Sequence, residues 1–183
     1  ELATDGALAM LASILCILAY VAVRFEWRLA LGGILSLVHD VVITLGVFAY
    51  FQYEFDLTVL AALMTLVGYS LNDTIVVFDR LRENFRKVRK GDTEYILDLS
   101  MTETLSRTII TSGLTFIVVL ALLLKGGALI HGFAVAMVIG VAFGTYSSIY
   151  VASAFAMFLG VKREHMLPTQ VEKEGADQQE ILP

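Results

Sequence analysis

Five long apolar runs, the first four bounded directly by charged residues, divide this chain. They cover 6–23, 29–53, 57–78, 108–124 and 133–160. A helix rises 1.5 Å per residue, so crossing a bilayer takes about 20 mostly apolar residues. No water is present in the hydrocarbon to bond the backbone, so each crossing must be helical. The fourth run is short for a crossing. Just before it, Ser100 is followed three residues later by Glu103, a capping-box pattern. That pattern predicts a helix starting near Met101 and a span over 101–124. The expected fold is all-α: a polytopic membrane domain over 1–163 with five transmembrane helices, a loop at 79–100 and a tail at 164–183. Five crossings put the two chain ends on opposite sides.

The polar positions refine this outline. The third helix should continue as a charged extension from Asp79 to Lys90, with Glu83 placed to meet Lys87 one turn on. Gly91 and Asp92 then break it, and Tyr95, Ile96 and Leu99 are expected to form an amphipathic turn on the membrane surface. Gly32, Ser36, Asp40 and Thr44 make a small and polar stripe along the second helix. Ala136, Gly140, Gly144, Ser148, Ala152, Ala156 and Gly160 make a longer stripe on the fifth. Such a stripe allows another backbone to approach closely, from this chain or from a partner. The acidic, apolar-poor tail reads as disordered.

Composition agrees with the membrane assignment. The chain is 57% hydrophobic and 17% charged, against about 25% charged in soluble domains. Its single cysteine, Cys16, allows no internal disulfide and reads as a small hydrophobe. Of the 13 lysines and arginines, all but Lys125 fall on one side of the predicted topology. The positive-inside rule places residues 24–28, 79–107 and the tail in the cytoplasm. The N-terminus and the loops near 53–56 and 126–132 then face outward. A first residue of Glu1, with an external N-terminus and no signal peptide, leads us to expect a fragment of a longer protein. The juxtamembrane basic cluster suits topology and anionic-lipid contact, and nothing aromatic is interleaved with it for nucleic acid.

Candidate chemistry sits at the intramembrane carboxylates, which are costly and mark functional sites by default. Asp73 is the only Asp, Glu, Lys, Arg or His between Asp56 and Asp79. It lies about 9 Å of axial rise above Asp79. With a helix start at Met101, Arg107 comes to similar depth on the next helix and is the candidate partner. Two alternatives stand for each residue. Asp73 is either a protonatable group, its charge set by burial and a movable cation, or a static fastener held by Ser70, Asn72 and Thr74. Arg107 either faces Asp73 or snorkels to the headgroups. Asp40 and His39 repeat the theme at mid-span of the second helix, as titrating groups or as hydrogen-bonded core residues. No phosphate-binding glycine loop, metal-ligand spacing or nucleophile–base pattern marks an enzyme, and Asp73 lacks the flanking glycines of aspartyl intramembrane proteases.

The stretch 68–84, Gly-Tyr-Ser-Leu-Asn-Asp-Thr-Ile-Val-Val-Phe-Asp-Arg-Leu-Arg-Glu-Asn, resembles the signature of the SecD/SecF family, on its SecF side. Val-His-Asp-Val-Val at 38–42 and Ser-Arg-Thr-Ile-Ile-Thr-Ser at 106–112 extend the resemblance over about 6–163. It implies half of a resistance-nodulation-division (RND)-like membrane fold in the bacterial inner membrane, lacking a first span and an external domain. It also implies SecD, the SecYEG channel, a YajC-type accessory subunit and preproteins as partners, with H⁺ as coupling ion and no cofactor. Asp73 and Arg107 would be the proton-coupling residues; Gly68, Asn72, Asp79 and Arg80 belong to the same motif. The alternatives from other classes are an RND-type small-molecule exporter half and a passive assembly subunit packing through the Gly140–Gly144 stripe.

Overall fold

A computed structural model describes residues 2–88 and 91–161, and every element in them is helical. The helices are α1 (Leu2–Arg24), α2 (Trp27–Phe51), α3 (Leu57–Lys87), α4 (Thr93–Lys125), α5 (His131–Tyr146) and α6 (Ala152–Phe158). A 3₁₀ turn (Ala128–Ile130) leads into α5, and a π-helical turn (Ser147–Val151) joins α5 to α6 as one rod. Segments α2, α3, α4 and Ala128–Phe158 are each long and apolar enough to cross a bilayer, and α1 adds the shorter apolar stretch Leu11–Arg24. The expected disordered tail at 164–183 lies outside the described residues.

Local chemistry sets the helix ends. Asp56 caps α3: its Oδ1 accepts from Val59 N–H (2.9 Å) and from the Thr58 hydroxyl (2.7 Å). These bonds, the Thr58 one foremost, hold its carboxyl below the ordinary carboxylate range. Gln52 closes α2 in the left-handed region, at φ 57°. This conformation usually falls to glycine; here the Gln52 side chain also donates to the Ala49 carbonyl.

The start of α4 corrects the sequence expectation. Ser100 caps nothing. The helix is already underway at Thr93, and the Ser100 hydroxyl donates to the carbonyl of Ile96. Ser100 Oγ and Glu103 Oε2 instead accept from the Asn84 amide on α3, at 3.0 and 2.8 Å. Ile96 is buried in the core and belongs to α4, so no separate surface turn forms there. The expected loop at 79–100 is mostly the extended ends of α3 and α4. The Glu83–Lys87 ion pair is present on the α3 extension.

Two apolar clusters hold the bundle. One gathers Phe25, Leu29, Phe78, Leu81, Phe85, Ile96, Ala152 and Ala156. The other gathers Phe48, Val59, Leu63, Leu66, Val119, Val135 and Val141. On α2, α4 and the α5–α6 rod a buried polar stretch separates the two, and on α3 Ser70, Asp73 and Thr74 lie among residues of the first cluster. The outer faces stay apolar, as at Ile109, Leu114, Ile117 and Val118 of α4, where hydrocarbon replaces water as the surrounding solvent.

The small-residue stripes fasten this bundle to itself. A Cβ on Gly32 would stand 3.0 Å from the Ala152 carbonyl oxygen and 3.2 Å from the Ala156 nitrogen, so α2 and α6 meet backbone to backbone. Gly140 leaves room for Leu66 of α3. Gly160 lies past the end of α6, at φ 72°, and takes no part in the stripe. A Gly32→Ile substitution should therefore wedge α2 from α6 and cost about 1–3 kcal/mol, as overpacking does. In Gly46→Ala the added methyl meets nothing within 4 Å, and stability should hold within about 0.5 kcal/mol. Thermal unfolding in detergent distinguishes the two.

Candidate functional site

The buried polar band lies where α2, α3, α4 and the π-helical turn converge. Asp40 of α2 is 1% exposed and Asp73 of α3 is 4% exposed. Ser70 and Asp73 are three residues apart on α3 and so share a flank of that helix. The band is thus built around α3, with one carboxylate toward α2 and the other toward α4.

Asp40 is held on both oxygens. Ser70 Oγ donates to its Oδ2 at 2.6 Å, and His39 Nδ1 lies 3.1 Å from its Oδ1. The network continues into the π-helical turn. Ser148 Oγ lies 3.3 Å from Ser70 Oγ and donates to the Ser70 carbonyl at 3.2 Å, while Ser36 donates to Ser147 at 3.2 Å. Gly144 lies beside the carboxylate, where a Cβ would make an ordinary contact 3.5 Å from Asp40 Oδ2. A buried charge is tolerated only with such partners.

Asp73 is held differently. Its one hydrogen bond among the described residues comes from Ser112 Oγ of α4 to Oδ2, at 3.2 Å. Its sequence neighbours do not fasten it. Asn72 is exposed on another face, because one residue turns a helix by about 100°, and Thr74 spends its hydroxyl on the Ser70 carbonyl.

Arg107 does not meet Asp73 in the described structure. Asn84 meets Ser100, Arg80 meets Glu103 (3.3 Å) and Asp73 meets Ser112, which sets α3 and α4 antiparallel. Arg107 therefore falls about 7.5 Å of axial rise from the Asp73 level, near Asp79. The expected depth match set Met101 level with Asp79, whereas the α3–α4 pairing sets Met101 near Asn84, five residues further along α3. Arg107 lines a cavity of about 310 Å³ with Asp79, Arg80, Glu83, Glu103 and Thr104. Around it, Arg24 of α1 makes two 2.9 Å bonds to Asp79, and Arg80 pairs with Glu83 at 2.8 Å. These pairs are 37–43% exposed on their side chains, so each contributes little alone.

Of the remaining motif positions, Gly68 is exposed with open space around it and packs nothing. Gly140 lies against Leu66 of α3 and Gly144 beside Asp40. Cys16 is exposed on α1. Among the described residues, no cluster of His, Cys, Asp and Glu offers a metal site. The sequence left Ser112, Ser148, Asn84 and Glu103 unassigned as partners. A four-residue spacing of Ser100, Thr104, Thr108 and Ser112 was the available signal for the polar face of α4.

These features define a polytopic helical membrane protein whose bilayer-depth core carries a polar band with two carboxylates. Comparison with known proteins gives the family. The family described as protein export membrane protein SecD/SecF, C-terminal, matches residues 1–162. The protein translocase subunit SecF of Vibrio alginolyticus is 63% identical over 181 residues, 99% of this chain and 58% of that protein. The corresponding subunit of Escherichia coli O157:H7 is 59% identical over 183 residues, 100% of this chain and 57% of that one. The crystal structure of SecDF, a translocon-associated membrane protein from Thermus thermophilus, superposes with a TM-score of 0.80 at 44% identity. That match covers 84% of this chain and 21% of SecDF. SecDF in a super-membrane-facing form gives 0.74 at 45% identity, over 78% of this chain and 20% of that one. The chain belongs to the SecD/SecF family of protein export membrane proteins. It spans little more than half the length of the SecF relatives named.

The Asp40 network yields a stability prediction. Ser70→Ala removes the 2.6 Å bond from a buried carboxylate and should cost about 1–3 kcal/mol. Adding Asp40→Asn should recover part of that loss, because residues in contact do not act additively. Thermal unfolding of the two variants and the double variant measures the coupling.

Proposed function

We propose that this chain is the membrane core of a SecF-type subunit that pairs with SecD in the bacterial inner membrane. The complex uses the proton-motive force to promote preprotein translocation through the SecYEG channel, with a YajC-type subunit as accessory. The N-terminus of the chain lies on the periplasmic side and the α3–α4 connection in the cytoplasm, as the distribution of Lys and Arg favours. Asp73 carries the proton, and no cofactor takes part.

The observation behind this proposal is the contrast between the two carboxylates. Asp40 has a partner on each oxygen, whereas buried Asp73 has a single long hydroxyl bond, with Arg107 little more than a turn away along α4. A carboxylate so sparsely held can change charge at small structural cost. Drawing Arg107 to about 4 Å from ionised Asp73 would give an attraction of roughly 4 kcal/mol at an effective dielectric near 20. Protonation would release it again. Proton occupancy would thereby bias α4 against α3, and that displacement is the motion passed to SecD and to the translocating chain. Passive assembly through the α5–α6 stripe has less support, because those small residues pack against α2 and α3.

Asp73→Asn keeps the shape and cannot titrate. In the full-length subunit with SecD, proton-driven translocation into membrane vesicles should fall to the uncoupled level while co-purification with SecD persists. Translocation at the unaltered rate would reject the proton-carrier role. Arg107→Lys should give a partial defect, because the charge remains without the guanidinium fork. If drug accumulation changed instead and preprotein export did not, an exporter would be indicated.

A further inference from the structure

Four hydroxyls on α4, those of Ser100, Thr104, Thr108 and Ser112, recur every fourth position and are all buried. Three of them have partners. Ser100 is tied to Asn84 and Ile96, Thr104 donates to the Ser100 carbonyl at 2.9 Å, and Ser112 donates to Asp73. Thr108, 1% exposed, has none. Threonines in helices normally return the hydroxyl to the carbonyl four residues back. Thr44, Thr74, Thr104, Thr111 and Thr115 all do so here. Thr108 stands out from all five. A buried hydroxyl left unpaired costs about 1–3 kcal/mol.

The position of this orphan gives it a use. Thr104, one turn below it, lines the polar cavity with Arg107, Asp79, Arg80, Glu83 and Glu103. Ser112, one turn above it, is the residue that bonds Asp73. Successive rungs are about 6 Å apart along the helix, a separation that one water bridges with two ordinary hydrogen bonds. A hydroxyl both donates and accepts, so it can pass a proton along such a chain without becoming charged.

We infer that Thr104, Thr108 and Ser112 form a hydroxyl ladder that, with intervening water, carries protons between Asp73 and the polar cavity at the α3–α4 end of the bundle. This rests on Asp73 being the proton carrier and adds the route by which its proton reaches the cavity. In the transfer, the Asp73 carboxyl gives its proton to the ladder and becomes carboxylate. An equivalent proton leaves the Thr104 end to cavity water as hydronium. Thr108 is the rung that makes the route continuous.

The test uses the full-length subunit with SecD in proteoliposomes under an imposed pH gradient, with proton flux read by an internal pH dye. Thr108→Val keeps the branched shape and removes the hydroxyl. It should slow flux about tenfold, as ~1.4 kcal/mol on a barrier does, whereas Thr108→Ser should stay near the unaltered rate. Asp73→Asn, assayed alongside, separates the two claims. If Asp73→Asn abolishes flux and Thr108→Val leaves it unchanged, the ladder is wrong and the proton-carrier role stands. If Asp73→Asn leaves flux intact, both are wrong. A second readout does not depend on how Thr108→Val folds. In a background with Cys16 and any other cysteine of the complex replaced by serine, Thr108→Cys should react with a small water-borne thiol reagent reaching it from the cavity side, and flux should then stop. A Thr108→Cys variant that resists the reagent while Asp79→Cys reacts would overturn the route.

Discussion

A carboxylate at bilayer depth must find its partners inside the bundle, because the surrounding hydrocarbon cannot solvate it. The arrangement around α3 answers this demand twice. Ser70 and Asp73 on one helix reach in two directions, to Asp40 on α2 and to Ser112 on α4, so the spacing of the helices is tied to the hydrogen bonding of two acidic groups. Apolar clusters on either side keep that band closed. The small residues of α2 and of the α5–α6 rod bring backbones close enough for short polar side chains such as Ser147 and Ser148 to take part. Asp40 is the settled half of this arrangement and Asp73 the unsettled one. A group that is fully satisfied gives the bundle a fixed register; one that is sparsely held leaves it something to change.

The π-helical turn at Ser147–Val151 belongs to the settled half. An inserted residue widens a helix locally and re-aims the side chains beyond it, often at functional positions. Here Ser147 faces Ser36 of α2 and Ser148 faces Ser70 of α3. The same turn passes directly into the Ala152 and Ala156 contact with Gly32. Polar and apolar fastening of α2 are thereby continuous along one rod.

Much of the architecture was legible in the sequence because apolar runs of bilayer length have only one outcome in hydrocarbon. The small and polar stripe of α2 was legible for a similar reason: period four on a helix makes one face, and Gly32, Ser36, Asp40 and Thr44 are all buried. What misled was local polarity with two possible uses. Ser100 and Glu103 have the spacing of a cap, yet they serve as acceptors for Asn84 across the α3–α4 contact, a use that depends on a residue sixteen positions away. That single misplacement displaced Arg107 by more than a turn relative to Asp73. Asn72 misled by adjacency, which on a helix means divergence rather than contact. Asp73 stood ahead of Asp40 in the sequence through its motif, but how many neighbours each carboxylate meets was not legible there.

The central claim is that Asp73 changes its proton occupancy as the protein works. Infrared difference spectroscopy on the full-length subunit with SecD in membranes tests this most directly, by stepping the pH on one side and following carboxyl absorption. The account predicts a protonated-carboxyl band that appears and vanishes with the step and is missing in Asp73→Asn. A band that survives unchanged in Asp73→Asn, or no carboxyl change at all, would contradict it.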